Sequence, residues 1–155
     1  MNKNCLQKNS VIILFLIYLP FTQLLIGCSK SADDLYTESI LLIRKDETLE
    51  EGLKNLLQFE RKFPQDNRLP EVVLTIATVY QRQKNFEEAI GAFERVIEKY
   101  PESQEAYKSK FLLGYLYYDE LNDSDNARKV LEDFIKMYPD SELTVSAKVL
   151  LQNIG

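Results

Sequence analysis

Three pairs of adjacent carboxylates are placed where acid–base or metal chemistry could begin: Glu50-Glu51, Glu87-Glu88 and Asp119-Glu120. Neighbouring residues on a helix point about 100° apart, so none of these pairs converges on one substrate atom. The run Asn122-Asp123-Ser124-Asp125 has the oxygen-rich start of a calcium loop. It lacks the glycine of the sharp turn and the bidentate glutamate that closes such a loop, and it reads as an inter-helix turn. The chain contains no histidine. That removes the usual general base near neutral pH, the usual zinc ligand and any Ser-His pair. No glycine-rich phosphate loop is present either. The carboxylates are therefore expected to cap and solvate helices. No catalytic residue, metal, cofactor or small-molecule substrate is expected.

Charge narrows the partners. The net charge is −5, and residues 1–27 contribute Lys3 and Lys8 but no acid, so the remainder is more acidic still. Such a body does not suit nucleic-acid phosphates or a polybasic mode of membrane binding. The 155 residues, 45% of them hydrophobic and 28% charged, suit one water-soluble domain behind a targeting segment. Five glycines and five prolines are few, which favours long helices over a turn-rich sandwich.

The amino terminus has its own pattern. Lys3 and Lys8 precede an unbroken apolar run from Val11 to Leu19, which continues less strictly to Ile26. A basic start, a short apolar stretch and a small residue before the cut describe a secretory signal peptide, here residues 1–27. The unbroken run is shorter than the roughly 20 residues a spanning helix needs. Leu25-Ile26-Gly27-Cys28 resembles the lipobox of bacterial lipoproteins. The resemblance implies cleavage between Gly27 and Cys28 and covalent lipid on Cys28. Two or more acyl chains would hold the protein on a membrane without a spanning segment. Cys5 falls in the removed segment, so the two cysteines are not a disulfide pair. Ser29 follows the cysteine, and in such lipoproteins a non-acidic residue there implies the outer membrane. Residues 28–34 read as lipidated terminus and tether, and residues 35–155 as the folded domain.

That domain is built on a repeat. Phe63-Pro64-Gln65-Asp66, Tyr100-Pro101-Glu102-Ser103 and Tyr138-Pro139-Asp140-Ser141 place their prolines 37 and then 38 residues apart. Proline cannot continue a helix and pushes the residue before it out of helical geometry. Each site therefore closes one helix and admits the next. Thr48, Asn85 and Asp123 are expected N-caps, and Glu51 and Glu88 complete capping-box spacing after the first two. Apolar residues then recur at helical intervals, as in Ala89, Phe93, Val96 and Ile97, or Leu131, Phe134 and Ile135. Val73, Ile76, Ala77 and Tyr80 stripe the opening helix of the second unit, and Leu113, Gly114, Tyr117 and Leu121 that of the third. Ala77 and Gly114 are small where two helices must approach closely. The first unit is degenerate, and a last helix, about Glu142 to Ile154, stands alone as the cap that repeat arrays need.

Ile76-Ala77, Tyr80, Ala89, Phe93 and Pro101 match the tetratricopeptide repeat in type and spacing; Leu113-Gly114, Tyr117, Ala127 and Pro139 match again. The resemblance implies an all-α solenoid of about three helical hairpins plus a capping helix. A lipobox followed by such repeats resembles the BamD-like outer-membrane lipoproteins, with the repeat domain of the YbgF (CpoB) proteins next nearest. The chain is shorter than the five-repeat BamD type and lacks the coiled coil of the YbgF type. The implied role is a non-catalytic protein–protein scaffold of the bacterial envelope, connected with outer-membrane protein assembly. Competing readings are a small envelope hydrolase or ligand carrier, and a self-associating structural lipoprotein.

The opening helices of such solenoids line a concave face. Projected onto this chain, that face carries Thr78, Gln81 and Arg82, then Tyr107, Lys108, Phe111, Tyr115 and Tyr118. The four rings share one side of a helix and form a candidate strip for an envelope protein or peptide. The same spacing fits rings packed against the closing helix, and the sequence leaves both readings open.

Overall fold

The computed structural model describes residues 30–154. The expected signal segment 1–27, the expected cleavage and lipidation positions Gly27 and Cys28, Ser29 and Gly155 lie outside the described residues. The chain divides into a unit ending at Ser31 and a second beginning at Ala32. The second unit is all-α: α1 (Ala32–Leu42), α2 (Leu49–Lys62), α3 (Leu69–Arg82), α4 (Phe86–Lys99), α5 (Gln104–Asp119), α6 (Ser124–Met137) and α7 (Thr144–Asn153), with a 3₁₀ turn at Asp46–Thr48. No strand occurs among the described residues. Helix α1 starts earlier than the sequence pattern suggests. Ala32, Asp33 and Asp34, expected in the tether, form its first turn, where the carboxylates suit the positive end of the helix dipole.

The helices pack as hairpins in series. α1 pairs with α2, α3 with α4 and α5 with α6; each closing helix also packs on the next opening helix, and α3–α5 and α5–α7 lie side by side. This is the helical-hairpin solenoid expected from the repeat. Its main core runs through Leu35, Leu56, Phe59, Ile76, Ala77, Ala89 and Phe93, all fully buried. A second cluster centres on Leu131, Phe134 and Ala147 where α6 meets α7. Each fully buried Leu, Ile or Phe contributes roughly 1.5–3 kcal/mol, and no hairpin could bury these faces alone.

The proline motifs are one turn built three times. The carbonyls of Phe63, Tyr100 and Tyr138 accept the backbone N–H groups of Asp66, Ser103 and Ser141 at 3.0, 2.9 and 3.1 Å. Proline takes the second turn position, which its fixed φ favours. The residue closing the turn then accepts a backbone N–H at or just inside the start of the next helix, and at Ser103 this is a true N-cap. Asp66 Oδ1 accepts from the Arg68 N–H at 3.0 Å, Ser103 Oγ from the Ala106 N–H at 3.1 Å and Ser141 Oγ from the Leu143 N–H at 3.2 Å. One residue thus closes the turn with its backbone and steadies the approach to the next helix with its side chain, which explains Asp or Ser two residues after each proline.

The caps within the hairpins differ from expectation. Asp123 caps α6, accepting from the Asn126 N–H at 3.1 Å. Thr48 and Asn85 make no side-chain cap. Thr48 is the last residue of the 3₁₀ turn, and its hydroxyl reaches back and donates to the Leu42 carbonyl at 2.6 Å. At Asn85 the chain is fixed instead by its own N–H, which donates to the Tyr80 carbonyl at 2.9 Å. Lys84 just before it adopts φ 61°, and Asn122 in the next hairpin φ 51°; both end a helix in the left-handed conformation.

Candidate functional site

The residues projected onto the groove separate in three dimensions. Arg82 is exposed and already carries bonds within the chain. Its guanidinium donates to the Ile43 carbonyl and to Asp46 Oδ1, both at 2.7 Å, and ties the turn before α2 to the end of α3. Thr78 is half-buried and donates its hydroxyl to the Thr75 carbonyl at 2.9 Å within its own helix. Gln81 and Lys108 are half-buried, on α3 and α5.

The four rings of α5 divide. Tyr107 packs at a tilt against Tyr138 with ring centroids 6.0 Å apart, and Phe111 meets Phe134 edge-on at 5.8 Å. Both pack on the second core cluster. Tyr115 and Tyr118 turn away from it. All four rings are half-buried; Tyr107 and Phe111 join the second core cluster, and Phe111 and Tyr115 line the space beside α7. Helix α6 packs along α5 from Tyr138 beside Tyr107 to Leu131 beside Gly114, and α7 lies on the flank that Phe111 and Tyr115 line.

Between α5 and α7 an open seam remains. Its apolar section, about 440 Å³, is lined by Phe111, Leu112 and Tyr115 on one wall and by Val145, Val149 and Leu150 on the other. Val145 and Val149 are 71% and 50% exposed, among the most exposed large hydrophobics of the described chain. One helical turn further along both helices the lining becomes polar. There Tyr118, Asp119 and Asn122 face Asn153 and Ile154 around a smaller recess of about 230 Å³. The Tyr115 hydroxyl is hydrogen-bonded to the Asp119 carboxylate, and that bond, with burial and the nearby Asp119 and Glu120 charges, pushes the phenol above its ordinary range.

The valines were missed in the sequence, although a signal was there. Counted from the preceding proline, Val145 and Val149 stand at the sixth and tenth residues, the places held by Tyr107 and Phe111 one repeat earlier. Other positions distinguish a groove from a truncated end. Ala77 and Gly114, thirteen residues after their prolines, meet their closing helices; the equivalent residue of α7 is Gln152, which is exposed. Lys148, equivalent to buried Val73, is exposed as well. The end face of α7 is thus polar, as a cap requires; Ala147 and Leu151 pack on α6, and the exposed Val145 and Val149 line the seam.

The carboxylate pairs do not form a centre. Glu50, Glu51, Glu87, Glu88, Asp119 and Glu120 are all exposed on different helix ends, and Glu50 accepts from Gln83 Nε2 at 2.8 Å. Among the described residues no three metal-ligating side chains are grouped to hold an ion, and no helix is long and apolar enough to cross a membrane.

No curated protein matches the chain. A family match covers residues 29–154, which include every helix of the solenoid and both walls of the seam, and on that match the chain belongs to the YfiO family of outer membrane lipoproteins.

Proposed function

We propose that this chain is a lipid-anchored, non-catalytic scaffold of the bacterial envelope that docks a segment of another protein in the seam between α5 and α7. The seam carries the proposal: exposed Val145 and Val149 stand opposite Phe111 and Tyr115 on a rigid hairpin array. Exposed apolar surface of that kind, with aromatic residues beside it, fits a protein-docking site. Family membership supports an outer-membrane setting and a protein-interaction role. The finer reading has the chain exported, cut between Gly27 and Cys28 and acylated on Cys28. It then faces the periplasm and assists outer-membrane protein assembly. The family match begins at residue 29, directly after the lipidated position, in support of that division.

Affinity capture from detergent-solubilised envelopes tests it. The intact chain should recover a specific envelope protein, and Val145→Glu should lose it. Cys28→Ala should move the chain from the detergent phase to the aqueous phase on cloud-point separation. Recovery of the same proteins by both seam forms, or detergent partitioning without Cys28, would defeat the reading.

A further inference from the structure

The charges at the helix ends suggest what the seam takes. A helix C-terminus carries partial negative charge and is stabilised by a nearby cation. Helices α2, α3, α4 and α6 observe this, with Arg61 and Lys62, Arg82, Lys99 and Lys136 in their last turns. Helices α5 and α7 have no basic residue there, and α5 ends instead on Asp119, followed by Glu120. These two helices run in the same direction along the seam, since Phe111 to Tyr118 and Val145 to Asn153 line it in the same order. Both negative ends therefore meet at its polar recess, where Asp119 adds a full charge. The apolar section contains no charged residue. Helix α1 also lacks a terminal cation, but α5 alone ends on a carboxylate, and it does so at the open groove, the kind of local inconsistency found at functional sites.

We propose that the seam's occupant is a protein segment carrying an apolar stretch and, roughly 12 Å further along, a Lys or Arg. The apolar part lies over Phe111, Val145 and Val149, and the cation sits at Asp119 between the two helix ends. The distance is the rise of α5 from Phe111 to Asp119. The polarity also fixes direction: the cationic end of the segment points to the C-termini of α5 and α7. This deepens the docking reading and rests on it.

The test uses the full chain in detergent, immobilised and panned with a random 12-residue peptide library, followed by titration with the best synthetic peptide. Enriched peptides should combine apolar residues with a Lys or Arg. Val145→Glu should weaken binding at least tenfold, with Val149→Glu as a second seam variant if the first fails to fold. Asp119→Asn should weaken it about fivefold, as should Lys→Glu in the peptide. Asp119→Lys should recover binding of the Glu peptide. Without peptide, Asp119→Asn should raise the melting temperature, because it removes a charge that opposes the dipole. A fall would mark Asp119 as structural and overturn the proposal. If seam variants abolish binding while charge changes on both sides are silent, docking in the seam stands and the paired recognition fails. If properly folded seam variants bind unchanged, both fail. Failure to enrich any peptide, or a concentration-dependent dimer lost in Val145→Glu, would also overturn it.

Discussion

A Cβ placed on Gly114 would stand 2.7 Å from Cδ2 and 2.8 Å from Cγ of Leu131, so α5 and α6 approach as closely as a glycine allows. Leu131 is fully buried and has no space to yield. Gly114→Ala should therefore destabilise the protein by about 1–2 kcal/mol, overpacking outweighing the roughly 1 kcal/mol gain in helix propensity. Gly91, with nothing within 4 Å of its Cβ position, gives the control. Gly91→Ala should stabilise by up to about 1 kcal/mol. Urea denaturation of both variants checks the pair; equal effects of one sign would refute the close-approach argument.

Arg68 binds three elements at once. Its Nε and Nη2 donate to the two Asp66 oxygens at 2.8 Å each and its Nη1 to Asp33 at 2.9 Å. Its guanidinium carbon lies 4.9 Å from the Tyr36 ring centroid and 5.2 Å from that of Phe59. Arg68→Ala should cost about 2 kcal/mol, and Arg68→Lys should restore little of it, because lysine has neither the fork nor the stacking plane. Thermal melts of the two variants decide this.

The same pair sets an acid limit. Hydrogen bonds from the Arg68 side chain, then from its backbone N–H, hold the Asp66 carboxyl at about 2 against 3.8 for the free group. A depressed folded pKa means that the stabilisation is complete above about pH 4 and is lost as pH falls toward 2. Melting temperature should decline across that window in the parent, and less steeply in Asp66→Asn. Parallel curves would show that Asp66 does not contribute to the slope.

Lys84 is held at φ 61° although it has a side chain. The left-handed conformation costs a non-glycine residue roughly 1 kcal/mol. Lys84→Gly should therefore be neutral or stabilising by up to about 1 kcal/mol, despite its greater freedom when unfolded. Calorimetry measures it, and a clear loss of stability would argue against the strain.

The divided aromatic strip predicts divided phenotypes. Phe111→Ala removes a ring packed on Phe134 and should cost about 2 kcal/mol. Tyr115→Ala with Tyr118→Ala should abolish partner capture while the melting temperature moves by only a few degrees. A collapse in stability of the double variant would place both rings in the core.

The all-α class, the repeat and its punctuation are written in the order of residues alone. Proline after an aromatic residue stops a helix wherever it occurs, and apolar residues at helical intervals need a partner face. Pro64, Pro101 and Pro139 are therefore legible without a structure, as are Ala77 and Gly114 at the close approaches. The lipidation reading of Cys28 is likewise a matter of local pattern. Which polar groups meet is a property of the folded chain. Whether Thr48 caps α2 or bonds back to Leu42 depends on a 3₁₀ turn, and Arg82 is committed to Ile43 and Asp46, far off in sequence. Packing likewise selects which rings of α5 join the second core cluster. Tyr107 and Tyr115 lie on one side of the same helix, yet Tyr107 meets the Tyr138 ring at the end of α6 and Tyr115 lines the space beside α7. Periodicity fixes the face of a helix that is apolar, and packing angle fixes how much of that face a neighbour covers; the seam is the part left uncovered.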